Sequence, residues 1–142
     1  MEHRIIGCGN AARGDDAAGL LVVRQLRAWG ADALEHSGEG LSLMESWRGH
    51  DAVIVIDAVV TGAAPGAVAV WDGREAPVIR NGRRSTHAFG VAEAVELARV
   101  LGRLPARLLI YGIEGRGFDL GSAPSPEVVA AAEHLAQRLF RD

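Results

Sequence analysis

Ile5-Ile6-Gly7-Cys8-Gly9-Asn10, followed by Gly14-Asp15-Asp16-Ala17-Ala18-Gly19, reads as a short apolar strand, a glycine turn and the first turn of an amphipathic helix. A helix N-terminus carries partial positive charge, so carboxylates are stabilised there. Two adjacent ones are more than capping needs, since one side chain satisfies the orphan donors of a helix start. The pair therefore poses a choice between a double cap and one cap beside a functional carboxylate. One of the pair is expected to cap the helix, and the other to point into the crevice beyond the strand.

Outward from this unit, apolar runs alternate with helix-period segments, the pattern of an α/β layered fold. Strands are expected at Arg4–Cys8, Ala33–Ser37, Ala52–Asp57, Ala67–Trp71 and Arg107–Gly112. Helices are expected at Asp16–Trp29, Leu41–Arg48, His87–Leu101 and Pro126–Phe140. Ala52-Val53-Ile54-Val55-Ile56 and Leu108-Leu109-Ile110-Tyr111 are apolar without a break, as in strands covered on both faces. Ser125, Pro126 and Glu127 punctuate the last helix with an N-cap, a proline at the first helical position and a first-turn acid. Gly73–Ser85 reads as a long exposed connection.

The 142 residues suit one domain, 1–142, with a real core and no room for a second substrate domain. Fifteen basic and 18 acidic side chains, interspersed, give a net charge of −3. That balance argues against a nucleic-acid footprint or a polybasic membrane anchor. The single cysteine, Cys8, precludes an intrachain disulfide and a multi-cysteine metal cage. No leader-like succession opens the chain, and no apolar run reaches the roughly 20 residues of a membrane span. The expected compartment is the cytoplasm.

In a mostly parallel sheet, ligands bind outside the carboxyl ends of the strands. The polar groups at those ends are Asn10 and the aspartate pair, Ser37–Gly40, Asp57 and Glu114, with His87 opening the third long helix. Asp57 closes an apolar strand, where a carboxylate needs a partner or a mouth to water. A histidine at a helix start is held neutral, the form that ligates metal. His36, at the end of the second strand, is a lesser candidate. Asp57, one of Asp15 and Asp16, and His87 together make an open nitrogen and oxygen donor set, suited to zinc or nickel. There is no H-E-x-x-H helix and no G-x-S-x-G elbow. The apolar neighbours of Cys8 favour a buried, inert thiol. Gly7-Cys8-Gly9-Asn10-Ala11-Ala12 also fits a dinucleotide fingerprint, with Glu35 or Glu39 as the ribose acid. Against it, carboxylates stand where the pyrophosphate would approach.

Four blocks occur in order: Gly7-x-Gly9-Asn10-x4-Asp15-Asp16-x-x-Gly19; Ile56-Asp57-Ala58 with Pro65-Gly66; Ser85-x-His87-x-x-Gly90; and Gly112-Ile113-Glu114-Gly115 with Gly121-x-x-Pro124-Ser125-Pro126-Glu127-Val128. Together they span nearly the whole chain and resemble the hydrogenase maturation endopeptidases. The resemblance implies a three-layer α/β/α sandwich with a five-stranded, mostly parallel sheet. It implies removal of a C-terminal extension from the large-subunit precursor of a [NiFe] hydrogenase after nickel loading. The family's metal-contacting positions fall on Asp16, Asp57 and His87, which leaves Asp15 as the expected helix cap.

In that picture the nickel is carried by the substrate, no permanently bound cofactor is expected, and the enzyme acts as a monomer. Asp16 and Asp57 are the candidate catalytic groups. Asn10, Glu39 and Glu114 are the candidates for contacting substrate. Many relatives carry Asp-Gly-Gly-Thr after the second strand, where this chain has Ser37-Gly38-Glu39-Gly40. A checkpoint that binds the nickel-loaded precursor without cutting it would use the same ligands and is the rival reading.

Overall fold

The computed structural model describes residues 3–75, 84–85 and 90–142. Five strands cross the sheet in the order β2-β1-β3-β6-β4: β1 (Arg4–Cys8), β2 (Ala33–His36), β3 (Ala52–Val60), β4 (Val68–Asp72) and β6 (Arg107–Glu114). The two-residue β5 (Arg84–Ser85) pairs with the far end of β3. The β2-β1-β3-β6 strands run parallel, and β4 closes one edge antiparallel to β6. The expected mostly parallel five-stranded sheet and three-layer arrangement are present.

Side-chain alternation divides the core between the two faces of the sheet. Ile54, Ile56 and Ala58 of β3 pack with α1 (Ala18–Ala28) and α4 (Pro126–Arg141), including Val22, Leu26, Val128 and Leu135. Val53 and Val55, with Ile6 and Cys8 of β1, pack with α2 (Gly40–Ser46) and α3 (Gly90–Leu101), including Leu43, Met44, Val91 and Val95. Burying each such side chain contributes roughly 1.5–3 kcal/mol, and β3 accordingly carries no polar residue before Asp57.

Two boundaries differ from expectation in ways that matter for the site. Strand β3 does not stop at Asp57 but runs to Val60, because its pairing with β6 continues through Val59 opposite Glu114. The first helix starts as a 3₁₀ turn, η1 (Gly14–Ala17), before α1. The β5 strand lies inside the stretch expected to be an open connection.

The order in which strands are added reverses at β1: α1 leads to β2 on one side, and α2 leads back to β3 on the other. The carboxyl ends of β1 and β3 thus flank a topological switch point, where open α/β sheets leave a crevice for ligands.

Candidate active site

Three glycines seat η1 and α1 directly on β1 and β3. A side chain on Gly7 would collide with the Gly19 carbonyl and with Val23, and one on Gly9 with the Asp16 carbonyl. A side chain on Gly19 would strike the Ile56 carbonyl and the backbone of Cys8. Bare backbone at these positions lets the helix start lie against the strand ends, and η1 packs on β3 as a result. Asp16 is carried into the switch-point crevice by that approach. It is 4% exposed, and its Oδ2 accepts the Asn10 N–H at 3.0 Å.

Asp57 stands on β3 one residue past the Gly7–Ile56 pair, level with the last residue of β1. Beyond Cys8 there is no further β1 backbone to cover that flank, so a carboxylate within a long strand faces the end of a shorter one. It is 1% exposed, and its Oδ1 accepts the Ala58 N–H at 2.9 Å. Cys8 pairs with His36 of β2 in the same row. The Cys8 thiol is pushed well above its usual pKa, first by burial and then by the negative charges of Asp57 and Asp16. That ordering places both carboxylates near one neutral sulfur, although Asp16 and Asp57 are 41 positions apart in the chain.

His36 is half-buried. Its Nδ1 accepts the Gly38 N–H at 2.9 Å, and its Nε2 lies 3.1 Å from the Ser42 hydroxyl. Burial lowers its pKa, against smaller opposing effects of Ser42 and Glu39. The β2–α2 loop is closed by Glu39, whose carboxylate accepts the N–H groups of Leu41 and Ser42. Glu39 is thus the N-cap of α2, with an exposed side chain engaged at the start of that helix.

Glu114 is bonded within the fold. It is buried, and its carboxylate accepts the Thr61 N–H at 3.0 Å and the Thr61 hydroxyl at 2.7 Å, clamping the turn after β3 to the end of β6. Asn10 shapes the turn through its Oδ1, which accepts the Ala12 N–H at 2.9 Å, and its side chain is exposed at the rim.

Asp15 is not the cap of its own helix; neither η1 nor α1 has a side-chain cap bond. Its carboxylate reaches instead to the β6–α4 loop, accepting from Arg116, Gly117 and Ser125. Burial would raise its pKa, but the backbone N–H groups of Ser125, Arg116 and Gly117 and the Ser125 hydroxyl outweigh it and hold the carboxyl below its usual value. The partner loop was not legible beforehand, because its residues lie about a hundred positions away; the only cue is the glycine spacing Gly115, Gly117 and Gly121.

His87 lies outside the described residues. Among the described residues, no three His, Cys, Asp or Glu side chains gather as a metal site.

The family model for hydrogenase maturation protease (HycI) matches residues 35–142. The chain belongs to the hydrogenase maturation protease family. It is a hydrolase, an endopeptidase of hydrogenase maturation.

The family match starts beyond the opening aspartate motif, but curated relatives align across nearly the whole chain. The HupD hydrogenase expression/formation protein of Rhizobium leguminosarum bv. viciae is 30% identical over 148 residues, covering 96% of this chain and 73% of the relative. The hydrogenase 2 maturation protease of Escherichia coli K12 is 25% identical over 146 residues, covering 99% and 89%. Among solved structures, the [NiFe] hydrogenase maturation protease HybD from Thermococcus kodakarensis superposes with a TM-score of 0.84 at 29% identity, covering 99% of this chain and 98% of that one.

The dinucleotide reading of the opening glycines falls with this assignment, and the geometry gives the reason. Asp16 occupies the turn that a pyrophosphate would need. Both candidate ribose acids are engaged, Glu35 by Arg24 and Arg27 and Glu39 by the start of α2.

Proposed function

We propose that this family member is a one-domain endopeptidase that removes the C-terminal extension of a [NiFe] hydrogenase large-subunit precursor once nickel is loaded. Asp16, Asp57 and His87 contact the nickel, which the substrate carries, and the enzyme holds no permanent cofactor. The observation that carries this reading is the pairing of two buried carboxylates at the switch point, around a neutral Cys8. The described neighbours of His87 are compatible with it. Ser85 of β5 pairs with Val59, two residues beyond Asp57, and α3 begins at Gly90.

Chemically, two carboxylates and an imidazole leave coordination positions open, so thiolates of the precursor complete the metal's shell. Docking on the nickel brings the scissile peptide against Asp16 and Asp57. One carboxylate then takes a proton from the attacking water and returns it to the departing amine as the C–N bond breaks. The metal polarises the peptide carbonyl. Asn10, at the exposed rim, contacts the precursor beside the cut. The same reading has the enzyme act as a monomer in the cytoplasm; no helix among the described residues is long and apolar enough to cross a membrane.

The test is incubation of nickel-loaded precursor with wild type, Asp16→Asn, Asp57→Asn and His87→Ala, followed by mass spectrometry. Wild type is expected to release the tail. Each variant is expected to lose about 100-fold or more in rate. A stable, uncut complex with wild type would instead identify a binding checkpoint, and undiminished cleavage by a variant would remove that residue from the site.

A further inference from the structure

Asp15 is 1% exposed and accepts four hydrogen bonds from three residues of the β6–α4 loop. Its Oδ2 takes the Arg116 N–H at 2.8 Å, the Gly117 N–H at 3.2 Å and the Ser125 hydroxyl at 3.0 Å, and its Oδ1 takes the Ser125 N–H at 2.6 Å. The backbone returns the favour: Asp15 N–H donates to the Gly117 carbonyl at 2.8 Å, and Gly14 N–H to the Ser122 carbonyl at 3.0 Å. From the other side, Gly121 N–H donates to the Ala12 carbonyl at 2.6 Å.

Two glycines permit this approach. A side chain on Gly115 would come within 3.1 Å of the Asp15 Cβ. Gly14 adopts φ 55° and would meet the Gly117 carbonyl if it carried one. So many bonds on one carboxylate exceed what a surface turn requires.

A four-residue 3₁₀ turn without a side-chain cap has little orientation of its own, since one turn of helix is an unfavourable nucleus in isolation. One end continues into α1, which is seated on the strands, and the end that begins at Gly14 is held by the β6–α4 loop. Asp15 and Asp16 share a peptide unit, so whatever fixes Asp15 fixes the backbone from which the Asp16 carboxylate projects. The Asp16 end of the same arrangement is visible in its bond from Asn10 N–H.

We propose that Asp15 is a positioning residue for the cleavage reaction: it ties η1 to the Gly115–Ser125 loop and thereby aims Asp16 into the crevice. The inference rests on the reading of Asp16 as a group that meets the substrate. It assigns the pair divided labour, with one aspartate facing the fold and the next facing the chemistry. The loop becomes a distant part of the active site, and a change at Ser125 is expected to reach Asp16 through Asp15.

The test compares wild type, Asp15→Asn and Ser125→Ala. Asparagine keeps the shape but can turn an NH₂ group toward the Arg116 and Gly117 donors; alanine at Ser125 removes only the hydroxyl bond. Amide hydrogen exchange of Asn10 reports where the Asp16 carboxylate lies, independently of activity. In Asp15→Asn, protection at Asn10 is expected to fall about tenfold while the central β3 amides, such as Val55, keep theirs. With nickel-loaded precursor, kcat is expected to fall about tenfold or more with KM within about twofold, at a temperature where circular dichroism shows a fully folded protein. A variant that melts earlier yet keeps Asn10 protection and kcat would show a staple of stability only, and would overturn the proposal.

If Asp15→Asn does not fold, Ser125→Ala decides the matter in the same two assays, with losses of about threefold expected and unchanged values overturning the proposal. Failure of wild type to cleave would count against the endopeptidase reading and leave the Asn10 measurement to judge Asp15.

Discussion

Replacing Gly19 with alanine tests whether the site depends on bare backbone contact between α1 and the strands. In an ordinary helix this change is favourable by about 0.5–1 kcal/mol, because glycine loses more backbone freedom on folding. Here the new Cβ would lie 2.6 Å from the Cys8 carbonyl oxygen and 2.8 Å from the Cys8 nitrogen, and closer still to the Ile56 carbonyl. Ordinary contact begins near 3.4 Å, so α1 must move away by about 1 Å to clear the nearest of them. All three obstacles are backbone atoms of the two central strands, which cannot swing aside as a side chain could.

Overpacking of this kind costs about 1–3 kcal/mol, and the rigid neighbours favour the upper end. Less the helix gain, the net loss is about 2 kcal/mol, or about 7 °C in Tm for a domain of this length. Urea titration followed by circular dichroism should show a lower midpoint with an unchanged slope. Because η1 leads into α1, Asp16 moves with the helix. Precursor cleavage should then fall at least about tenfold even where the variant is fully folded. Gly49→Ala is the control: it has φ 82° and open space around it, so it bears backbone strain without a clash. If Gly19→Ala were as stable as wild type or more so, and cleaved as fast, the close approach would not be what positions the site.

Two further expectations concern neighbours of the crevice. Cys8 should react with a thiol reagent at pH 8 on the order of 100-fold more slowly in the native protein than in urea, because burial and the charges of Asp57 and Asp16 keep it protonated; rapid native labelling would contradict this. His36, with a lowered pKa in the fold, binds its proton more weakly there than in the unfolded chain. Its contribution to stability is therefore complete above the unfolded value of about 6.5 and is lost as pH falls through the folded one. The difference in unfolding free energy between wild type and His36→Gln should shrink from pH 8 to pH 5, and a difference that stays constant would refute it.

Much of this architecture was legible as pattern. The unbroken apolar run Ala52–Ile56 is a strand buried on both sides, as its pattern indicates, and β1 occupies Arg4–Cys8 as its composition indicates. The final helix begins at Pro126 after Ser125, as its punctuation implies. Asp57 misled the boundary of β3 because a carboxylate looks like a strand end. It lies within the strand because β1, its neighbour, is the one that stops. Asp15 misled in the opposite sense: its residue type marked a cap for its own helix, but which N–H groups a carboxylate meets depends on loops that no local pattern describes. Glu39 became the cap and Asp15 the long-range tie.

The sequence by itself determined the order of strands and helices, the buried character of the central sheet and the presence of two aspartates beside a glycine turn, since these follow from periodicity, turn chemistry and helix-end electrostatics. Only the tertiary structure decided which aspartate does what. Strand order set β1 next to β3 and so brought Asp16 and Asp57 to one crevice. The β6–α4 loop, folding back over about a hundred residues, claimed Asp15. Hydrogen bonds and charge act through space over a few ångströms, and those distances exist only once the sheet has assembled.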